Sequence, residues 1–137
     1  MRVVLDTNIF VSAFLSPKGG PARILKLFQL EAFDLLISEE ILVEYQKALN
    51  YERVKQIHKL TDVQISRIIE DLRIFGTIVN VTSSLLVVAG DPDDNKFFEC
   101  AIDGEADYIV SGDALVLAVK THSGIRVFSS QLFLSLF

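Results

Sequence analysis

The sequence predicts an α/β sandwich in which a mostly parallel central sheet is flanked by helices. Short β-branched segments alternate along the 137 residues with longer segments of helical periodicity, and this alternation is typical of a parallel sheet with helices on its faces. Half of the residues are hydrophobic and 23% are charged, as in a globular chain with one core. We therefore expect a single domain over residues 1–137.

The predicted strands are short apolar runs bounded by polar or turn-forming residues. They lie at Arg2–Leu5, Phe33–Ile37, Thr77–Val81, Tyr108–Val110 and Arg126–Phe128. The predicted helices show apolar residues at spacings of three and four. They lie at Ile9–Leu15, Ala22–Leu30, Glu39–Leu49 and Asp62–Phe75, and from Asp91-Pro92 to about Glu105.

Helix starts are marked by residues that stabilise the first turn. Pro21 suits the first turn of the second helix, and Ser38 followed by two acids is typical of the start of the third. Thr61 opens the fourth in the same way, and Asp91 with Pro92 fits the capping and first positions of the fifth.

The negative charge of the chain is local. The net charge is −5, but eight acids and a single base, Lys96, lie between Asp91 and Asp113, whereas the remainder of the chain has a slight excess of bases. Such a cluster indicates a metal site, a docking patch for a basic partner, or a solvated helix.

The sequence also restricts the compartment. The only cysteine, Cys100, cannot form an internal disulfide, so we expect a reducing, cytoplasmic environment and a buried thiol. The start of the chain has no signal-peptide pattern. The longest apolar run, Ala114–Val119, is too short to cross a membrane.

Two acids directly follow predicted strands. Asp6 follows the first strand, and Asp113 follows Tyr108–Val110 through Ser111-Gly112. Ligands of parallel sheets bind at the carboxyl ends of the strands, so both acids are site candidates. The alternatives are a helix cap for Asp6 and a glycine-assisted turn for Asp113.

Two further acids lie on or beside the apolar faces of helices. Asp94 shares a helical stripe with Phe97, Phe98 and Ala101, which directs it toward the sheet, whereas Asp93 is expected to point outward. Glu44 lies at the margin of the apolar stripe of its helix, and a surface ion pair with Lys47 or Lys55 is the alternative.

If Asp6, Glu44, Asp94 and Asp113 converge, their charges repel one another unless a cation bridges them. Carboxylate oxygens favour Mg²⁺ or Mn²⁺, and such a site suits displacement at phosphorus. Convergence of these four acids would therefore make them candidate ligands of such an ion.

Four segments in order resemble the PIN-domain ribonucleases, in particular the VapC-like toxins of toxin–antitoxin systems. They are Val4-Leu5-Asp6-Thr7-Asn8, Ser38-Glu39-Glu40-Ile41-Leu42 leading to Glu44, Asp91-Pro92-Asp93-Asp94-Asn95-Lys96-Phe97, and Ala106-Asp107-Tyr108-Ile109-Val110-Ser111-Gly112-Asp113.

The resemblance implies a PIN-like three-layer sandwich and Mg²⁺- or Mn²⁺-dependent hydrolysis of single-stranded RNA that leaves a 5′-phosphate. It makes the four acids the metal ligands and Asn8 and Ser111 supporting polar groups. Ala114-Leu115 stand where this branch often has a further acid, which leaves a fifth ligand open.

Other functions remain to be weighed. A phosphoaspartyl hydrolase of the haloacid dehalogenase type requires a second acid two residues after the first, where this chain has Asn8. An RNA-processing PIN nuclease without an antitoxin and a non-catalytic PIN-like binding module are the remaining alternatives.

Partners are indicated by surplus apolar and basic residues. The helix containing Ile24, Leu25, Leu27, Phe28 and Leu30 and the end of the chain, Leu132–Phe137, are more apolar than packing on one sheet requires. This surplus favours a homodimer face or a groove for a small antitoxin protein. Arg53, Lys55 and Lys59 are candidate contacts to RNA, with a solvated helix face as the alternative.

Overall fold

The computed structural model describes residues 1–88 and 92–137. The strands are β1 (Arg2–Leu5), β2 (Asp34–Ile37), β3 (Thr77–Ile78), β4 (Tyr108–Val110), β5 (Thr121–His122) and β6 (Ile125–Phe128). The helices are α1 (Thr7–Leu15), α2 (Gly20–Gln29), α3 (Glu39–Leu49), α4 (Glu52–His58), α5 (Asp62–Phe75), α6 (Asn95–Asp103), α7 (Ala114–Leu117) and α8 (Ser130–Leu134). A 3₁₀ turn, Pro92–Asp94, precedes α6.

The six strands form one sheet in the order β3-β2-β1-β4-β6-β5. All neighbouring strands are parallel except β5 and β6, which form an antiparallel edge. From β1 the chain first builds outward on one side through β2 and β3, and then on the other through β4 and β6. The switch point, where ligands of such sheets bind, therefore lies between β1 and β4. The predicted α/β class with a mostly parallel sheet is confirmed.

The core lies on both faces of the central strands. Val4, Leu36 and Ile109 are fully buried, as expected for parallel strands covered by helices. On α1 and α3, the rings of Phe10 and Tyr45 stack with centroids 4.2 Å apart, which joins these two helices over the sheet.

The residues predicted to start α2, α3 and α5 are found in the first turns of these helices. Pro21 lies in the first turn of α2. The Ser38 hydroxyl accepts a hydrogen bond from the N–H of Ile41 at the start of α3. Thr61 and Gln64 form a reciprocal capping box at the start of α5.

The largest differences from the predicted boundaries lie in two elements. β3 ends at Ile78 rather than Val81. The N–H of Val79 still donates to Ile37 of β2 at 2.8 Å, but from Thr82 onward side chains of α6 accept the backbone N–H hydrogen bonds that a strand partner would otherwise accept. The last long helix begins at Asn95 rather than at Asp91-Pro92 and ends at Asp103 rather than Glu105. Glu105 adopts a positive φ of 55°, which a helix cannot continue. The capping role predicted for Asp91 lies outside the described residues.

Several short elements were not predicted: α4, α7, α8 and β5. A helix of seven residues or fewer carries too few turns for a periodic pattern to stand out. β5 and β6 are joined by Ser123 and Gly124, which both have positive φ, as tight hairpin turns require. Among the described residues, no helix is long and apolar enough to cross a membrane.

Candidate active site

Asp6 lies at the switch point of the sheet. Its N–H donates to the carbonyl of Val110 at 2.9 Å, which places it where β1 and β4 end side by side. Its side chain is 3% exposed. Although Asp6 occupies the position before α1, it makes no capping hydrogen bond of ordinary geometry. Its carboxylate instead accepts a hydrogen bond from the hydroxyl of Ser111 at 2.6 Å.

The surroundings of Asp6 disfavour its negative charge. Burial raises the pKa of this carboxyl, and the hydrogen bond from Ser111 and the N–H of Asn8 oppose that shift only in part. The charges of Asp113 and Glu44 raise the pKa further. Asp113 and Glu44 are thus each close enough to Asp6 to act on its charge.

Ser111 and Asp113 are held by the end of β4. Ser111 is fully buried and its N–H donates to Phe128 of β6 at 3.0 Å. Its hydroxyl oxygen also accepts from the N–H of Asp113 at 3.0 Å. One carboxylate oxygen of Asp113 caps α7 by accepting from the N–H of Leu115 at 2.8 Å, so Asp113 has a structural role in addition to its place beside Asp6.

Glu44 projects from the second turn of α3 toward the same edge. One of its carboxylate oxygens accepts a hydrogen bond from the hydroxyl of Thr7, and the other lies 2.5 Å from the ammonium of Lys96. The surface ion pair considered for Glu44 does not form with Lys55, which pairs with Asp62 at 2.7 Å. Glu44 is therefore connected to the start of α1 and to the start of α6.

Two neighbouring groups respond to this charge. Burial opposes the charge on Lys96, but the hydrogen bond and charge of Glu44, together with Glu40 and Asp93, keep its pKa above the ordinary value. The buried hydroxyl of Tyr45 donates to the carbonyl of Leu5. Burial and the charge of Asp6 hold the Tyr45 pKa well above its usual range, so Tyr45 remains a neutral donor.

Asp94 lies at the last residue of the 3₁₀ turn, directly before α6, and is half-buried. Because Lys96, two residues further on, reaches Glu44, the start of α6 lies beside the edge that carries Asp6. Asp93 is exposed, in agreement with its predicted outward direction, and Asn8 is also exposed.

The three candidate RNA contacts lie on and just after α4. Arg53 and Lys59 are exposed, whereas Lys55 is engaged in its ion pair with Asp62. Lys59 ends the helix in a left-handed conformation with φ 57°. The structure therefore leaves Arg53 and Lys59 as the accessible members of this set.

The donors fit a hard divalent ion in chemistry, since carboxylate oxygens are the ligands that Mg²⁺ and Mn²⁺ prefer. The raised pKa of Asp6 also reflects like-charge repulsion that a bound cation relieves. Over residues 1–88 and 92–137, however, no three acidic, histidine or cysteine side chains stand together closely enough to hold one ion as they are. Glu44 is turned toward Thr7 and Lys96 instead.

Thr7 and Lys96 are two site residues that the sequence analysis did not assign. Both lie inside segments that were singled out, Asp6-Thr7-Asn8 and Asp94-Asn95-Lys96. Lys96 also carried a signal, as the only base in the acidic stretch from Asp91 to Asp113. A lone base among acids suggests an internal counter-ion.

A mostly parallel α/β domain with a buried acid at its switch point and further acids around it is typical of a hydrolase. Comparison with known proteins identifies the family. The family model of the PIN domain matches residues 2–115. The chain belongs to the PIN domain family, whose members are generally nucleases.

Two individual proteins are also similar. An uncharacterized protein of Methanocaldococcus jannaschii, MJ1680, is 31% identical over 121 residues, which cover 88% of this chain and 76% of that protein. A structure of VapBC2 from Rickettsia felis, bound to a DNA fragment from its promoter, contains a chain that matches with a TM-score of 0.62 and 15% identity. The match covers 94% of this chain and 98% of the other, and it shows a shared PIN-like fold.

Proposed function

We propose that this protein is a divalent-metal-dependent endoribonuclease that cleaves single-stranded RNA, with residues 1–137 forming one nuclease domain. The observation that carries the proposal is Asp6, an acid that is 3% exposed, at the switch point of the sheet, bonded to the hydroxyl of Ser111 and close to the charges of Asp113 and Glu44.

Asp6, Glu44, Asp94 and Asp113 are the residues that would hold Mg²⁺ or Mn²⁺. When bound, the ion lowers the pKa of water and neutralises charge on the leaving oxygen. Ser111 orients Asp6 through its 2.6 Å hydrogen bond, and Thr7 orients Glu44. In the hydrolysis, a bond forms between the water oxygen and phosphorus, the bond to the 3′ oxygen breaks, and the 5′-phosphate remains on the other product.

The test of this activity is cleavage of an end-labelled single-stranded RNA with Mg²⁺, with Mn²⁺ and with EDTA. We expect cleavage with either ion and none with EDTA, and products with a 5′-phosphate. Parallel reactions with double-stranded RNA and single-stranded DNA establish the substrate class. Binding of RNA without cleavage under every metal condition would favour the non-catalytic module.

We further propose that the protein is the cytoplasmic toxin of a toxin–antitoxin pair. The structural match to a chain of a VapBC complex supports this context, and the single buried thiol, Cys100, suits a reducing compartment. An RNA-processing nuclease without an antitoxin remains the alternative. A toxin is expected to have a short reading frame for a small inhibitory protein beside its own gene, whereas an RNA-processing nuclease is not.

A groove of about 660 Å³ supports an antitoxin partner. Its apolar lining includes Phe14, Phe28 and Phe75 from α1, α2 and α5, and its acidic lining is Glu31, Asp34 and Asp71. Phe75 is 72% exposed, which is unusual for an aromatic side chain without a partner. We propose that the occupant is an amphipathic segment of the antitoxin with apolar residues facing the aromatic rings and basic residues facing the acids.

Charge reversal tests the groove. Co-expression of Asp71→Lys or Glu31→Lys with the product of the adjoining reading frame should reduce recovery of the complex, while RNA cleavage by the free variants is unchanged. Glu52→Lys, an exposed acid on α4 outside the groove, is the matched control and should bind normally. Equal recovery from all three variants would exclude this groove.

Two smaller predictions accompany the proposal. Replacement of Arg53 or Lys59 by Ala should weaken RNA binding and reduce the slope of log affinity against log salt by up to about 0.7 each, since these are single backbone contacts.

The apolar end of the chain, where Leu132, Leu136 and Phe137 are exposed, leads us to expect a homodimer. Light scattering of the purified protein should give the mass of two chains, and the mass of one chain would contradict this expectation.

A further inference from the structure

Lys96 is a mostly buried base inside the acidic site. Its side chain is 11% exposed, and its ammonium lies 2.5 Å from a carboxylate oxygen of Glu44, 52 residues earlier in the chain. A lysine on a solvated helix face extends into water and keeps most of its hydration. Lys96 instead gives up hydration for this one contact, which indicates a defined role within the site.

Glu44 has both carboxylate oxygens engaged. The hydroxyl of Thr7 donates to one oxygen and Lys96 donates to the other. Each oxygen keeps a second lone pair of the kind that a divalent ion binds. A nearby ammonium, however, repels an incoming cation and draws on the same carboxylate charge, so coordination of Glu44 competes with its hydrogen bond to Lys96.

The other charged groups that act on Lys96 are acids. Glu40 lies on α3 and Asp93 in the turn before α6, and both favour the positive charge of Lys96. An ammonium displaced from Glu44 therefore retains acidic neighbours. A metal ion can therefore replace Lys96 on Glu44 without leaving the ammonium buried and unpaired, which would be costly.

We propose that Lys96 is an internal counter-ion that holds Glu44 in the metal-free protein and competes with the divalent ion for that carboxylate. The inference rests on the metal site of the proposed function and deepens it by assigning the residue that regulates metal binding. Lys96 is a positioning residue that acts through Glu44, and it sets how much free metal the protein needs before the site fills.

The test is a calorimetric or electron-paramagnetic titration of the metal-free protein with Mn²⁺ in the absence of RNA. Lys96→Met removes the charge and keeps the length of the aliphatic stem. We expect it to lower the Kd for Mn²⁺ by about tenfold or more, because a hydrogen bond between charged groups has a net value of that order. Lys96→Arg keeps the charge and should stay within a few-fold of wild type.

Lys47→Met is the matched control, since Lys47 is an exposed base on the same helix as Glu44 and should leave the Kd unchanged within about twofold because exposed charges are screened by salt. In the Glu44→Gln background, Lys96→Met should lose its effect on the Kd. If Lys96→Met does not fold, Lys96→Gln removes the charge but keeps a donor for Glu44, and it should change the Kd in the same direction.

Thermal melts supply an independent measurement. In EDTA, Lys96→Met should melt below wild type because Glu44 loses its counter-ion, whereas the gain on adding Mn²⁺ should exceed that of wild type. A Kd that is unchanged or higher in Lys96→Met overturns the competition while the metal site stands. Absence of Mn²⁺ binding in both wild type and Lys96→Met overturns both the metal site and this role of Lys96.

Discussion

Asp6 and Asp103 are aspartates at distant positions in the chain, and their surroundings have opposite effects on their charge. Asp6 is buried among other carboxylates, which together with burial raise its pKa. Asp103, the last residue of α6, accepts hydrogen bonds from the Ser83 hydroxyl at 2.6 Å and from the N–H groups of Ser83 and Thr82. These donors lower its pKa. The first environment opposes the charge, and the second stabilises it.

Asp103 belongs to a row of acceptors along α6. Asn95, Glu99 and Asp103 are spaced four residues apart. Their side chains accept hydrogen bonds from backbone N–H groups of the segment 82–88. They thereby replace the strand partner that this segment lacks after β3 ends. Acids of the stretch from Asp91 to Asp113 thus have different surroundings: Glu99 and Asp103 accept hydrogen bonds from backbone N–H groups, whereas Asp94 and Asp113 lie near the edge of the sheet that carries Asp6.

The largest expected difference between these regions is in catalysis. Asp6→Asn or Asp94→Asn should reduce RNA cleavage by roughly 10²- to 10³-fold or more, because metal positioning is worth about 3–5 kcal/mol in the transition state. Asp103→Asn should cleave normally per folded molecule when assayed well below its melting temperature. Single-turnover rates on labelled RNA measure this, and an equal loss in all three variants would remove the distinction.

The second expected difference is the response to metal. Mn²⁺ or Mg²⁺ at a hundredfold excess over Kd should stabilise the wild type by about 2.7 kcal/mol, because the ion binds only the folded site. Asp6→Asn and Asp94→Asn should gain much less, and Asp103→Asn should gain as much as the wild type. Thermal melts with EDTA and with Mn²⁺ report these gains. A wild type indifferent to both ions would mean that the site acids are structural.

The third prediction concerns the row of acceptors along α6. Asn95→Ala should destabilise the protein by about 1–3 kcal/mol with or without metal, because the N–H groups of Val87 and Val88 lose their acceptor at 2.8 Å. Val88 is buried, so water cannot fully replace that acceptor. Gln46→Ala, at an exposed amide in the middle of α3, is the control and should melt like wild type. Unchanged melting of Asn95→Ala would show that segment 82–88 is held by other contacts.

The smallest expected effect is an opposite dependence of stability on pH. The folded pKa of Asp6 is raised, so its contribution to stability is present at low pH and lost as the pH rises through that pKa. In EDTA at neutral pH, Asp6→Asn should therefore equal the wild type or exceed it by about 0.5–2 kcal/mol, and this difference should vanish in acid.

Asp103 has the reverse sign. Its folded pKa is lowered, so it stabilises the fold above the ordinary pKa of an aspartate and loses that contribution as the pH falls. Asp103→Asn should melt below the wild type at neutral pH, with a difference that closes in acid. Denaturant unfolding of both variants between pH 3 and 7 measures the two slopes, and parallel slopes would contradict the opposite environments.

Local features of the sequence predicted the elements with strong local signals. The buried strand Arg2–Leu5 and the capped helices starting after Ser38 and Thr61 are where their patterns place them. The end of the strand that starts at Thr77 was misplaced because the chain after it bonds to side chains of α6. The start of α6 was misplaced because Pro92–Asp94 form a 3₁₀ turn. Segment 82–88 bonds side chains of α6, and no pattern within that segment indicates this.

The sequence by itself determined the α/β class, the positions of the main strands along the chain and the acids that follow them, because hydrophobic periodicity and capping residues act within a few positions. Only the tertiary structure decided that Ser111 donates to Asp6 and that Asp113 also caps α7. It also decided that Glu44 pairs with Lys96, not with Lys47 or Lys55. These pairings join residues up to 105 positions apart. They depend on strand order and helix packing, which bring distant residues together and which no local pattern encodes.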